Sequence, residues 1–117
     1  TFRLVSAVLD RAHRLALPTD FRRITRRGTK QTSSLVVAYA APSDRGLSRF
    51  GIVTSKALGN APTRNRVRRQ LRAIAWEVKD ARSADIVIRA LPAAATASWE
   101  DLHADVLRTL EKLSASS

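Results

Sequence analysis

Between Thr63 and Val78 the sequence reads TRNRVRRQLRAIAWEV, and this segment limits the folds open to the chain more than any other. Val67, Leu71, Ile74, Ala75 and Val78 recur at i, i+4, i+7, i+8 and i+11, which on a helix turning by about 100° per residue makes a single apolar stripe. Arg66, Arg68, Arg69 and Arg72 fall outside that stripe, with Asn65 among them. A stripe of this kind is the signature of a helix laid on a core. It therefore predicts a long amphipathic helix laid on an apolar layer, which the rest of the chain must provide.

Most of that layer is expected from strands. Ser34-Leu-Val-Val-Ala-Tyr39 and Arg49-Phe-Gly-Ile-Val-Thr54 are rich in β-forming residues, and Pro42-Ser-Asp-Arg-Gly46 between them reads as a turn. The two strands are expected to pair as an antiparallel hairpin. Ala84-Asp-Ile-Val-Ile-Arg89 is a third strand, ended by Leu91-Pro92. Phe21 and Ile24, at helical spacing after Pro18-Thr-Asp20 and stopped by Gly28, predict a short first helix with Thr19 or Asp20 near its N-cap. Ser98 with Asp101 three residues on is a capping box for a last helix that turns Leu102, Val106, Leu110 and Leu113 inward. The order helix, strand, strand, helix, strand, helix is that of a single α+β domain with a small sheet.

Charge is concentrated on the first part of the chain. Residues 1–72 hold 16 of the 21 Lys and Arg and 3 of the 10 acidic residues, a formal +13, whereas residues 73–117 carry −2. Arginine outnumbers lysine 17 to 4, and a planar guanidinium forks onto phosphate and stacks on bases where an ammonium acts as a point charge. At 44% apolar residues the chain is too hydrophobic for a disordered polycation. Its longest charge-free run, Gln31 to Ser43, is 13 residues and too short to cross a bilayer. These features point to a cytoplasmic, folded protein with a polyanionic partner and no membrane association.

The inventory for catalysis is thin. There is no cysteine, which excludes disulfides, thiolate metal sites, iron–sulfur clusters and cysteine nucleophiles. His13 and His103 lie in different elements, and Ser55-Lys56 lacks any further signature of an activated serine. Asp10, Asp20 and Asp44 are too dispersed for a two-metal centre, and Asp101 with Asp105 has the spacing of any solvated helix face. No residue is assigned a catalytic role or a metal. By contrast, five arginines stand within Arg64–Arg72, directly after the Gly59-Asn-Ala-Pro62 loop that delivers the helix start. Guanidinium forks and the free N–H groups of a helix start both favour phosphate. Arg68 and Arg72 repel at i,i+4 with no acidic residue to relieve them.

In these residues the chain resembles the protein subunit of bacterial ribonuclease P. The resemblance rests on Ser55-Lys56, Gly59-Asn60 and Arg64-Asn65-Arg66, continued by Arg68, Arg69 and Arg72. Upstream, Arg14-Leu15, Asp20-Phe21, Gly28 and Tyr39 keep the family's spacing, and Asp85-Ile-Val-Ile-Arg89 and the closing helix fit downstream. It covers roughly residues 13–113. Residues 1–12 read as an N-terminal extension and 13–117 as one RNA-binding domain.

That resemblance implies a four-stranded sheet with three helices, of ribosomal-protein type, with a left-handed crossover between parallel strands around the arginine-rich helix. It implies removal of the 5′ leader from precursor tRNA by a ribonucleoprotein whose RNA is the catalyst, with Mg2+ bound mainly by that RNA, the protein alone being inactive. Lys56, Asn60, Arg64, Asn65, Arg66, Arg68, Arg69 and Arg72 would face the catalytic RNA. Phe21, Thr25 and Tyr39 match a central cleft for the single-stranded leader, where aromatic faces stack bases without demanding sequence. Phe21 reads equally as a core residue of a short helix. Thr25 departs from the family, which often carries an aromatic there, and His13 stands where Asn is usual. The competing readings are a ribosomal-type binder of structured RNA, which would share the basic helix without the cleft, and a protein-only nuclease, which would need clustered carboxylates.

Overall fold

A computed structural model describes residues 14–15, 18–43, 47–80 and 83–116; residues 1–13, including His13, and the tip of the turn at 44–46 lie outside the described residues. Three helices, α1 (Pro18–Arg27), α2 (Ala61–Glu77) and α3 (Trp99–Ser116), surround four strands, β1 (Thr29–Thr32), β2 (Val36–Pro42), β3 (Arg49–Val53) and β4 (Ala84–Ala90). The strands form one sheet in the order β1-β2-β4-β3. β2 is antiparallel to both β1 and β4, and β3 is parallel to β4, with α2 in the connection between them.

This topology corrects two expectations. The strand expected at 34–39 and that at 49–54 do not form a hairpin, because β4 lies between them and pairs with both. The near-continuous apolar run of β4 explains the choice. All its residues but Arg89 are buried, so it takes the central position, where both of its edges are paired. The hairpin partner of β2 is instead β1, a strand that residue patterning overlooks because Thr-Lys-Gln-Thr carries no hydrophobic residue. As an edge strand with alternating half-buried and exposed residues, β1 contributes backbone pairing more than core.

Alternation along the strands divides the sheet into two faces. Val36, Ala38 and Ala40 of β2, Phe50 of β3 and Ile86 and Ile88 of β4 form the inner face, packed against Val67, Leu71 and Ile74 of α2 and Leu102, Val106 and Leu113 of α3. The predicted stripe of α2 is thus its buried side, except that Val78 and, on α3, Leu110 are only half-buried at the rim. Asn60 caps α2 through its side-chain oxygen, which accepts from the Thr63 N–H, so the helix starts two residues before the expected Thr63. Ser98 caps α3 as the pattern predicted, accepting from the Asp101 N–H at 3.1 Å. α1 begins at Pro18, one residue ahead of the expected cap, where the missing N–H of proline is harmless.

The outer face is more sparsely covered. Leu15, Ile24, Ala41 and Val87 form a small second core, flanked by Phe21, Tyr39 and Val53. α1 packs there against β2 and β4, and the next row of the same face holds Val37, which is buried, Val53, which is half-buried, and Arg89, which is exposed.

Candidate nucleic-acid interface

Two groups of side chains flank β3, an outer strand of the sheet whose far side is bridged at Phe50 by Arg14. The first belongs to α2 and the loop before it. Ser55 caps a short 3-10 helix, Lys56–Leu58, and Gly59 turns the chain with φ +131°, a backbone conformation that favours glycine, so that Asn60 can cap α2. Lys56, Asn60, Asn65, Arg66 and Arg69 are exposed, and Arg64, Arg68 and Arg72 are half-buried.

These residues do not all stand free. The Asn60 oxygen is spent on the cap, and Asn65 accepts from Arg68 at 2.8 Å. Arg68 also donates to the Thr54 hydroxyl at 2.6 Å, and Arg66 donates to the Ala95 carbonyl. Every one of those acceptors is neutral, so orientation is fixed while the positive charge remains for an outside anion. Arg64, Arg69 and Arg72 have no carboxylate partner among the described residues. Burial, then the charges of Arg68 and Arg14, pull the Arg72 pKa below its ordinary value. Arg14 enters through an isolated parallel bridge to Phe50 on the β3 edge. Residue patterning noted Arg14 only for its spacing; the structure brings it to Arg72.

The second group lies on the outer face. The Phe21 ring rests on the backbone of Gly51, where an added Cβ would come within 2.4 Å of the ring. Phe21 is half-buried and packs against the small core, as its reading as a core residue expects. Tyr39 pairs in register with Val87, which is level with Gly51, so Phe21 and Tyr39 border one row. Thr25 is exposed, its hydroxyl turned back to the carbonyls of Phe21 and Arg22 at 2.9 and 3.3 Å. One row further, Arg89 is exposed between Val37 and Val53 on this same face. Strand patterning placed Arg89 in β4 and gave it no role; its exposure in an otherwise buried strand was the available signal.

Asp85 fixes the angle between α1 and the sheet. Its carboxylate, 1% exposed, accepts from Arg49 at 2.9 and 2.7 Å and from Arg23 of α1 at 2.6 Å. Burial alone would raise its pKa, but the hydrogen bonds and charges of Arg49 and Arg23 prevail and hold it below its ordinary 3.8. His103, without an evident partner in the sequence, is paired with Glu77 at 2.8 Å and stacked on Trp99. Among the described residues no group of three or more His, Asp or Glu could hold a metal ion, and no helix is long and apolar enough to cross a membrane.

A basic helix flank beside an outer strand of a four-stranded sheet makes this an α+β protein with a cationic surface of the kind that suits a polyanion. Comparison with known proteins narrows this. The family model for ribonuclease P matches residues 9–114. The ribonuclease P protein component of Corynebacterium diphtheriae is 45% identical over 115 residues, covering 91% of this chain and 97% of that protein. That of Rhodococcus opacus is 42% identical over 115 residues, covering 91% and 92%. The RNase P protein of Staphylococcus aureus superposes with a TM-score of 0.81 at 27% identity, covering 86% of this chain and 94% of that one. The Thermotoga maritima RNase P protein, at 23% identity and a TM-score of 0.75 over 85% and 96%, shares the fold. The chain belongs to the family of ribonuclease P protein components, the protein subunits of a ribonucleoprotein endoribonuclease of tRNA processing.

Proposed function

We propose that this chain works in ribonuclease P by holding the catalytic RNA on the arginine side of α2 and the single-stranded 5′ leader of precursor tRNA in the recess between α1 and the open sheet. The observation that carries the reading is the row of cations around the outer strand β3. Arg14 and Arg68 both act on Arg72, and Arg68 is tethered to Thr54, one residue past the end of β3. The Gly51 and Val53 positions of that strand face the recess. Two RNA strands meeting at the cleavage region would thus be held on adjoining surfaces of one narrow element.

Within the recess, Phe21 and Tyr39 supply stacking faces, Thr25 a small wall, and Arg89 a cation for a leader phosphate. On α2, Arg64, Arg69 and Arg72 supply uncompensated charge, Arg66 and Arg68 oriented charge, and Lys56 a further cation beside the helix start. Asn60 acts mainly by capping α2. Mg2+ belongs to the RNA in this reading, since the described carboxylates near the interface, Asp20 and Asp85, are both engaged by Arg23. The protein supplies charge and shape, and phosphodiester cleavage is left to the RNA and its metal.

Reconstitution tests this directly. Purified protein alone should leave precursor tRNA intact, and adding it to the catalytic RNA should restore cleavage at magnesium concentrations where the RNA alone is slow. Cleavage by the protein in the absence of any RNA subunit would reject the assignment.

A further inference from the structure

The outward side of α1 is a second cationic surface that neither the cleft nor the α2 flank accounts for. At about 100° per residue, Phe21, Ile24 and Gly28 fall on the side of α1 toward the sheet. Thr19, Arg22, Arg23 and Arg26 fall on the opposite side. These four, with Arg27, line a shallow concavity of about 260 Å³. Arg23 is committed to Asp85 and Asp20, whereas Arg22, Arg26 and Arg27 are exposed and have no carboxylate partner among the described residues. A favourable helix dipole accounts for cations in the last turn, at Arg26 and Arg27, but not for Arg22 near the start, where a cation is opposed. Arg22 and Arg26 also repel each other at i,i+4. An arrangement that costs the free helix stability and concentrates guanidinium groups around one hollow fits a phosphate-bearing ligand.

Position selects which one. Thr25, on the recess side of α1, is followed around the helix by Arg22 and then Arg26, so a strand leaving the recess over α1 meets these two guanidinium groups next. We infer that the outward arginine face of α1 binds the backbone phosphates of leader nucleotides that extend beyond the recess, so that affinity for the precursor rises with leader length. This rests on the reading that the recess holds the leader.

The test uses holoenzyme reconstituted with the catalytic RNA and two precursors. One leader is just long enough to cross the recess, and the other is extended by as many nucleotides again. Wild type should bind the longer-leader precursor more tightly. The double variant R22A/R26A should lose most of that increment, about three- to tenfold at low salt, and keep wild-type affinity for the short-leader precursor. Its binding of the long-leader precursor should depend less steeply on salt, by roughly 0.7 log units for each lost single-strand contact. R22K/R26K, which keeps the charge, should retain the slope. A Tyr39→Ala variant separates the two readings: it should weaken both precursors, and if it weakens neither, the recess reading fails whatever the arginines do. The proposal is overturned if wild type shows no length increment, if R22A/R26A keeps it, or if R22A/R26A instead weakens assembly with the catalytic RNA.

Discussion

Asp85 is the residue on which the geometry of the recess most depends. It draws Arg49 from the neighbouring strand and Arg23 from α1 onto one buried carboxylate, and thereby ties the wall of the recess to its floor. Replacing it with alanine removes both ion pairs from this carboxylate and should cost about 2–3 kcal/mol, less than a fully buried pair because the Arg23 side chain is 40% exposed. The sign of the pH effect follows from the lowered pKa. The stabilisation is complete above the ordinary carboxylate value of 3.8 and is lost as pH falls through the depressed folded-state value. Urea unfolding should therefore show a wide gap between wild type and Asp85→Ala at neutral pH that narrows in strong acid. A gap independent of pH would mean that packing, not the ion pairs, is what the substitution removes.

At the scale of elements, α1 is seated by a close approach of a ring to a glycine. Gly51→Ala would place a Cβ against the Phe21 ring and force it outward, with an overpacking cost of about 1–3 kcal/mol. The same change should weaken binding of leader-bearing precursor by the holoenzyme more than binding of mature tRNA, measured as the ratio of the two affinities. The sequence announces α2, α3 and β4 clearly, because periodicity and caps report burial along a single element. It does not announce which strands are neighbours. The antiparallel hairpin expected of β2 and β3 was the local solution, and it was displaced because β4, far along the chain, gains more by lying between them. β1 stayed hidden for the complementary reason: a polar edge strand is specified by backbone pairing, which leaves little trace in composition. The α2 arginines were legible as a cluster, yet their division into tethered and uncompensated groups depends on Thr54 and Ala95, which only the fold brings near. Arg89 escaped notice for the same reason: its significance lies in the face it shares with Tyr39.

Over the whole molecule, the partition of charge into +13 and −2 acquires a spatial meaning. Four of the seven acidic residues of the last segment are matched within the protein: Asp85 by two arginines, Asp105 by Arg108 and the Ser33 hydroxyl, Asp80 by Lys79 and Glu77 by His103. Among the described residues, the cations of α2 and α1 mostly have no such carboxylate partner. Counterion release then predicts where salt sensitivity arises, since only charges that meet phosphate contribute to the slope of log affinity against log salt. Removing Arg64, Arg69 and Arg72 together should flatten that slope for binding of the catalytic RNA by roughly two to three log units. Arg108→Ala, which removes one formal charge from α3, should leave it unchanged, because Arg108 is already neutralised by Asp105. Equal flattening by both variants would mean that net charge alone governs binding and that the α2 flank has no privileged contact with RNA. A slope altered by the triple variant only would locate the RNA on the side of the molecule where the arginines have no carboxylate partner among the described residues.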